Sequence, residues 1–218
     1  TIGSSPLKLG QVNEIAKILG TLHRSTEDVP AHLIKQLPKE NFDIGFCRSL
    51  YKFIKNDLLS KHDVVLRTVK PFTGYLLDNI KRMKYLAETL KKKPKQYVLC
   101  HGDAHYWNMI QSKHIKLIDW ECANLAPPEQ DLILHIAGQN AELFLSVYRK
   151  YITSYELDLD ALEFYFLKRR LENVWEWIQD LRSKEAIKSQ EETLKLLRIN
   201  LIECTKVTSF RAYLETSV

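Results

Sequence analysis

The sequence is poor in the residues that mark several common classes of protein. Its 218 residues include only four cysteines, and none of them belongs to a C-x-x-C pair. Disulfide frameworks and zinc sites need paired spacings, so we expect reduced, buried thiols and a cytoplasmic protein. No apolar run approaches the roughly 18 residues of a membrane-spanning helix, and no secretory signal is visible. The sequence therefore predicts no segment in a membrane.

The sequence also has only a small excess of positive charge. The chain carries 32 basic and 27 acidic residues, which gives a formal net charge of +5. The basic residues are scattered except for a cluster at 91–95, which closes a predicted helix where the helix dipole favours cations. This pattern gives no reason to expect nucleic acid as a partner. With 45% hydrophobic residues, the chain suits a single domain over residues 1–218.

Glycine is scarce in a way that bears on phosphate binding. The chain has only seven glycines, which are well separated, and it contains no G-x-G-x-x-G motif. A loop of that type covers the phosphates of nucleotides in several enzyme folds. No strand-rich segment precedes the first predicted helix either. These 218 residues therefore lack a glycine-rich phosphate loop.

Most of the chain has the apolar spacing of helices. Apolar residues recur every three or four positions in the segments 7–23, 46–58, 72–90, 128–138, 140–153, 158–183 and 185–214. A shorter helix is expected near 31–37, and Asp158 is a good N-cap for the helix that follows it. Two apolar runs, 97–100 and 115–118, have the pattern of strands, and 107–110 is expected to pair with the second. The prediction is an α+β fold that is mainly α-helical, with a small β-hairpin.

The most informative stretch lies around this hairpin. It contains His101-x-Asp103-x4-Asn108, which is the spacing of a kinase catalytic loop, and Asp119 follows the next predicted strand. Phosphoryl transfer needs one carboxylate that orients a substrate hydroxyl and takes its proton, and Asp103 suits that role. It also needs oxygen ligands for the metal that neutralises the phosphates, and Asn108 and Asp119 suit that role. The spacing predicts a kinase-type site.

The same residues allow one rival interpretation. On an extended strand, the side chains of His101, Asp103 and His105 would point the same way, as three ligands of one zinc ion do. A zinc site would leave the spacing to Asn108 and Asp119 unexplained, so we favour the kinase interpretation. We otherwise expect His105 to be an exposed residue without a special role.

These motifs resemble the aminoglycoside phosphotransferase family, whose members are kinase-like enzymes acting on small molecules. The resemblance covers about residues 9–182 and is carried by His101-Gly102-Asp103, Asn108, Ile118-Asp119-Trp120-Glu121, Pro128, Asp131-Leu132 and the segment Leu19-Gly20-Thr21-Leu22-His23. Three further segments, 97–101, 125–132 and 169–181, are similar to the spectinomycin-modifying members of that family. The resemblance implies a kinase that uses ATP or GTP with Mg²⁺.

The resemblance also implies roles for further residues. His101 and Asp131 are expected to organise the loops rather than to take part in the chemistry. Glu121 either contacts the substrate or the metal, or holds its own loop through backbone hydrogen bonds. Because the family's glycine-rich loop and strand lysine are missing here, the chain is expected to be a C-terminal lobe with the N-terminal lobe absent.

One helix offers a candidate substrate surface. Glu172, Glu176 and Asp180 recur every four residues and share a helix face, and Trp175 lies beside them. An acidic stripe with an aromatic neighbour suits a cationic substrate rich in hydroxyls. The alternative is a solvated face, on which Arg169 forms an ion pair within the helix.

The sequence thus favours an enzyme that phosphorylates a hydroxyl of a small cationic substrate. An aminoglycoside or aminocyclitol antibiotic, with spectinomycin as the first candidate, would make it an antibiotic-resistance enzyme. Two alternatives stay open: a kinase of the same fold that acts on choline, a sugar or an amino acid, and a non-catalytic binding lobe. The oligomeric state and the hydroxyl that is modified are not predicted.

Overall fold

The computed structural model describes residues 2, 7–56, 63–153, 155–183 and 189–217. This part of the chain is mainly helical, with four short strands. The helices are α1 Leu9–Arg24, α2 Ala31–Ile34, α3 Gly45–Asn56, α4 Val64–Val69, α5 Thr73–Lys92, α6 Glu129–Ile136, α7 Ala141–Tyr148, α8 Leu159–Arg182, α9 Gln190–Glu203 and α10 Val207–Ser217. The strands are β1 Val98–Cys100, β2 Met109–Gln111, β3 Ile115–Leu117 and β4 Asn124–Ala126.

The chain divides into two compact units. The first comprises Thr1–Asn41, Lys93–Leu162 and Glu215–Val218, and the second comprises Phe42–Lys92 and Glu163–Leu214. The expectation of a single domain over 1–218 stays a prediction.

The first unit contains both small sheets. β2 pairs antiparallel with β3, with Ile110 opposite Lys116, which confirms the predicted hairpin. β1 pairs antiparallel with β4, with Leu99 opposite Leu125. β4 was not predicted because its residues, Asn124–Ala126, include no β-branched or aromatic side chain. α1 packs against α7 and β1 through a face of buried side chains, namely Val12, Ile15, Ala16 and Leu19.

The second unit has helices and no strand in its described part. Its core side chains include Leu50, Ile54, Leu76, Met83, Leu86 and Phe164. The buried Glu163 carboxylate accepts two hydrogen bonds from Arg82, at 2.8 and 2.7 Å, and one from Arg211 at 3.1 Å. These charge-assisted bonds connect α5, α8 and α10.

The helix predictions differ from the structure in two places, and in a third they extend beyond the described residues. The segment 185–214 is not one helix, because a 3₁₀ turn at Cys204–Lys206 separates α9 from α10. α4 was missed, although Asp63 caps it by accepting from Val65 N at 2.7 Å. The predicted end of the helix at 46–58 lies outside the described residues.

The cysteines and the helix lengths bear on two further expectations. All four cysteines are free thiols; Cys47, Cys100 and Cys204 are buried, whereas Cys122 is exposed, so the expectation of burial was wrong for that residue. Among the described residues, no helix combines the length and apolar character that crossing a membrane requires.

Candidate active site

The loop after β1 is held at its start by a buried carboxylate. Asp131, in the first turn of α6, accepts from His101 N at 2.7 Å and from Gly102 N at 2.9 Å. An acid in this turn is also favoured by the positive end of the helix dipole. The two backbone bonds fix the direction in which the chain leaves β1 and enters the loop that carries Asp103.

Asp131 is in turn held by α1 and α7. His23 Nε2 lies 3.1 Å from Asp131 Oδ2, and His23 Nδ1 lies 2.7 Å from the Tyr148 hydroxyl. Burial alone raises the pKa of Asp131, but His23 and the two amides outweigh it, so the pKa lies below its ordinary value. The Asp131 carboxylate is therefore a stable anion that anchors the loop.

Gly102 lets the loop approach the segment after β3. Its φ of +84° is left-handed, and a Cβ added there would lie 2.1 Å from the Cys122 carbonyl oxygen. Only glycine tolerates both conditions without displacement of the backbone. The segments that carry Asp103 and Asp119 are thus in direct backbone contact.

His101 joins the same two segments through its side chain. Its Nδ1 faces Asp103 N at 3.3 Å, and its Nε2 donates to the carbonyl of Ile118 at 2.9 Å. Its ring centroid lies 4.7 Å from that of Trp120. Both ring nitrogens contact backbone groups, so the zinc arrangement of His101, Asp103 and His105 is not formed.

Asp103 and Asn108 lie together at the two ends of this loop. Asn108 Nδ2 donates to the Asp103 carbonyl at 3.0 Å and to Asp103 Oδ2 at 3.2 Å. The Asn108 side chain is buried, whereas Asp103 is partly exposed. Asp103 is accordingly reachable by a substrate while its orientation is fixed by a rigid neighbour.

Asp119 occupies an unusual backbone conformation directly after β3. Its φ of 66° and ψ of 67° are left-handed, and its side chain caps no backbone amide of the 3₁₀ turn Trp120–Cys122. This conformation costs a residue other than glycine on the order of 1 kcal/mol. The exposed carboxylate is held at this cost, which is a common property of functional residues.

The donor atoms of the site suit a hard cation. Because Asn108 turns its NH₂ group towards Asp103, its amide oxygen points the opposite way, and the Asp119 carboxylate is exposed. Amide and carboxylate oxygens are the ligands that Mg²⁺ prefers. Within the described ranges, the only group of three ligand-type side chains close together is His23, Cys100 and Asp131, whose mixed donors and hydrogen bonds do not suit Mg²⁺.

The remaining predicted residues fall into two sets. Glu121 is exposed in the turn after Asp119, and its carboxylate accepts no hydrogen bond from the described part of the chain. Glu172, Trp175, Glu176 and Asp180 lie on α8 in the second unit. There, Asp180 accepts from the Thr193 hydroxyl at 2.9 Å, and Trp175 packs edge-on against Phe53. Substrate contact by these five residues stays a prediction.

Two residues of the site were missed by the sequence analysis. His23 lies on α1, more than 100 residues before its partner Asp131, and no local signal connects them. His105 contacts both Asp103 and Asn108, at 3.3 and 3.2 Å, and is partly buried, so the expectation of an exposed side chain was wrong. Its position two residues after Asp103 was the only signal in the sequence.

Comparisons with known proteins agree with this geometry. A model of the phosphotransferase enzyme family (APH) matches residues 11–165. A sequence search of curated proteins gives no significant match. The structure of spectinomycin phosphotransferase with ADP and spectinomycin matches with a TM-score of 0.67 and 23% identity, covering 94% of this chain and 67% of that chain.

Two other kinases are similar at lower scores. Choline kinase from Streptococcus pneumoniae has a TM-score of 0.51 and 15% identity, covering 91% of this chain and 64% of that chain. Aminoglycoside 2′-phosphotransferase-IIIa with GDP has a TM-score of 0.53 and 14% identity, covering 93% and 69%. At such identities the likeness establishes the fold, which is kinase-like. The family match extends over most of the chain and includes Asp103, Asn108 and Asp119, so the chain belongs to the phosphotransferase enzyme family and is a kinase-type phosphotransferase.

Proposed function

We propose that this chain carries the catalytic and metal loops of an enzyme that moves the γ-phosphoryl group of a nucleotide to a hydroxyl of a small cationic substrate. The observation that carries the proposal is the pairing of Asp103 with Asn108 at 3.2 Å, beside an exposed Asp119 in a left-handed conformation. A turn that only connects two strands needs neither the pairing of an aspartate with an asparagine nor an exposed aspartate in a strained conformation.

Each of the three residues has a role that follows from its surroundings. Asp103, partly exposed and held by Asn108, orients the attacking hydroxyl and accepts its proton. Asn108 and Asp119 hold Mg²⁺ through the amide oxygen and the carboxylate. When bound, the ion supplies positive charge against the phosphates of the nucleotide. Glu121, exposed beside Asp119, is positioned for the substrate or for the metal.

The nucleotide and a further lobe are part of this proposal. Relatives of the same fold are known with ADP, AMP and GDP, which supports ATP or GTP as the donor. These 218 residues correspond to the C-terminal lobe, and the glycine-rich loop and its lysine come from polypeptide outside them. The absence of a G-x-G-x-x-G motif and the 67% coverage of the spectinomycin enzyme support this assignment.

The substrate class rests on charge and on one relative. The acids of α8 (Glu172, Glu176 and Asp180, with Trp175) suit a cationic aminocyclitol. The relative that binds spectinomycin makes that antibiotic the first candidate, with antibiotic resistance as the biological role. The likeness to a choline kinase makes choline the second candidate.

The test is a substrate panel with the full-length natural gene product. We would supply Mg²⁺ with ATP or GTP and measure phosphoryl transfer to spectinomycin, a 2-deoxystreptamine aminoglycoside, choline and a neutral sugar. The proposal predicts transfer to a cationic acceptor and none to the neutral sugar. Transfer to the sugar alone would overturn the substrate class, and transfer to no acceptor with no ADP release would favour a non-catalytic binding lobe.

A further inference from the structure

His105 is an ionisable side chain of the catalytic loop that contacts Asp103 and that the proposed chemistry leaves without a role. It is partly buried and precedes the 3₁₀ turn Tyr106–Asn108. Its Nδ1 lies 3.2 Å from Asn108 N, and its Nε2 lies 3.3 Å from Asp103 Oδ2. The imidazole therefore stands between the backbone of one functional residue and the carboxylate of another.

The contact with Asn108 determines which ring nitrogen carries the proton. The Asn108 N–H can only donate, and it is shared between the His105 carbonyl at 2.9 Å and Nδ1 at 3.2 Å. Nδ1 must therefore be the unprotonated acceptor, so the neutral ring carries its proton on Nε2. The nitrogen that carries this proton lies 3.3 Å from Asp103 Oδ2, which is a close polar contact.

Asp103 Oδ2 consequently has two nitrogen neighbours. Asn108 Nδ2 donates a hydrogen bond to it at 3.2 Å, and His105 Nε2 lies in polar contact with it at 3.3 Å. A hydrogen bond and a neighbouring ring at one oxygen restrict rotation of the carboxylate about its last torsion, which is otherwise broad and soft. The second carboxylate oxygen then keeps a single direction relative to the loop.

We propose that His105 is a positioning residue for Asp103. Its Nε2–H holds the carboxylate in the orientation that accepts the proton of the substrate, and its Nδ1 ties this support to the backbone of Asn108. Base and metal ligand are thereby kept in one fixed geometry, which is what efficient transfer requires. The inference rests on the proposed role of Asp103.

A side chain that only caps the turn needs a different polar atom from one that orients Asp103. A residue that only caps the turn needs an acceptor for Asn108 N, which asparagine supplies at the distance of Nδ1. A residue that orients Asp103 needs a donor at the distance of Nε2, which glutamine supplies. His105→Asn and His105→Gln therefore separate the two functions of the ring, and His105→Ala removes both.

The experiment is steady-state ADP release by the full-length enzyme with Mg·ATP and spectinomycin. For His105→Ala and His105→Asn we expect kcat to fall by about 10-fold to 100-fold, with KM for either substrate changed less than about threefold. His105→Gln should restore kcat to within about threefold of the unmodified enzyme. Thermal unfolding of all three variants shows whether a loss of kcat arises only because less of the protein is folded.

Two results would overturn the inference while leaving the proposed function intact. One is rescue by His105→Asn but not by His105→Gln, which identifies a cap alone. The other is a raised KM with unchanged kcat, or no change in any variant. Asp103→Asn measured alongside separates the failures, because full ADP release by that variant would remove the proposed function itself.

Discussion

Asp119 holds a left-handed backbone conformation that glycine would adopt without strain. Its φ and ψ are 66° and 67°, and its carboxylate makes no capping bond that would offset the cost. The aspartate is therefore not explained by stability at this position. A metal-binding role explains why a carboxylate stands where glycine would be the more stable choice.

The first prediction concerns the backbone strain and the proposed metal role of Asp119. Asp119→Gly should raise the free energy of unfolding by about 1 kcal/mol, because the backbone strain is relieved, and should lower turnover by about 100-fold or more. Urea unfolding and ADP release with Mg·ATP measure the two quantities. Asp119→Asn is the matched control, since asparagine tolerates this conformation and removes only the charge. A stable variant with normal turnover would contradict the metal role.

At the scale of single residues, the motif spacing predicted three members of the candidate site but gave no sign of the contact made by His105, for a physical reason. Asp103, Asn108 and Asp119 were selected because their intervals along the chain match a known chemistry. The contact from His105 to Asp103 depends on a tight turn at Ala104, in which His105 N donates to the Asp103 carbonyl at 2.8 Å. No residue pattern in the sequence indicates this turn, so the histidine was expected either on an extended strand or in an exposed part of the loop.

Among the elements of the first unit, Asp131 connects α6 with α1 and with the loop after β1. Its two oxygens accept from His101 N, Gly102 N and His23; the bonds from His101 and His23 are buried, and the bond from Gly102 is partly buried. Removal of the carboxylate would leave the buried amide of His101 without a partner, which is costly. We therefore expect this side chain to determine the position of the catalytic loop.

The second prediction follows from this connection. Asp131→Ala should lower the free energy of unfolding by about 3–5 kcal/mol and increase hydrogen exchange at the amides of His101 and Gly102. Glu142→Ala is a suitable control, since Glu142 is an exposed acid in the first turn of α7 and should cost no more than about 1 kcal/mol. Similar losses in both variants, measured by urea unfolding, would refute the anchoring role.

The helices were predictable in proportion to their length. Helices of two turns or more show their apolar face in the sequence, and α1, α5 and α8 were found nearly to their ends. α4 has six residues, too few for a helical period to be recognised. β4 was missed although β1 and β3 are equally short, because it lacks the β-branched residues that those two strands contain. The break at Cys204–Lys206 was missed because no proline or glycine interrupts the sequence there.

The stability of the protein as a whole depends on two buried groups that respond to pH in opposite directions. Burial raises the pKa of Glu129 from 4.5 to about 7, although Tyr155 and the backbone of Asp158 donate to its carboxylate. Burial lowers the pKa of His135 from 6.5 to about 4, although its Nε2 donates to the Ala104 carbonyl.

The two effects on stability have opposite signs. The folded state binds the proton of Glu129 more tightly, so that group adds stability as pH falls from 7 to 4.5. The unfolded state binds the proton of His135 more tightly, so that group removes stability as pH falls from 6.5 to 4. Each of these two pKa shifts corresponds to a change of about 3 kcal/mol in the free energy of unfolding. Their contributions should nearly cancel over the shared window.

The third prediction separates the two groups. In Glu129→Gln the free energy of unfolding should fall by about 3 kcal/mol between pH 6.5 and pH 4, because, of these two groups, only His135 still titrates there. In His135→Gln, which keeps a donor for the Ala104 carbonyl, it should rise by about 3 kcal/mol between pH 7 and pH 4.5. Urea unfolding across this range measures both, and parallel profiles in the two variants would contradict the assignment.

At the scale of the molecule, family and enzyme class were predictable from one loop and one following acid. The sequence motifs identified a phosphotransferase, and the family match over residues 11–165 confirms it. The division into two units was not foreseen, because it depends on which helices pack together rather than on any local pattern. The buried positions of Glu129 and His135 depend on packing for the same reason.

The central claim is that Asp103 is the base for phosphoryl transfer. The measurement that tests it most directly is the turnover of full-length Asp103→Asn with Mg·ATP and the best acceptor from the panel, with Asp28→Asn, a change at an exposed acid, as control. We expect kcat to fall by about 1,000-fold in Asp103→Asn, with nucleotide affinity and thermal stability retained, and no change in the control. Turnover by Asp103→Asn within about tenfold of the unmodified enzyme would contradict the account.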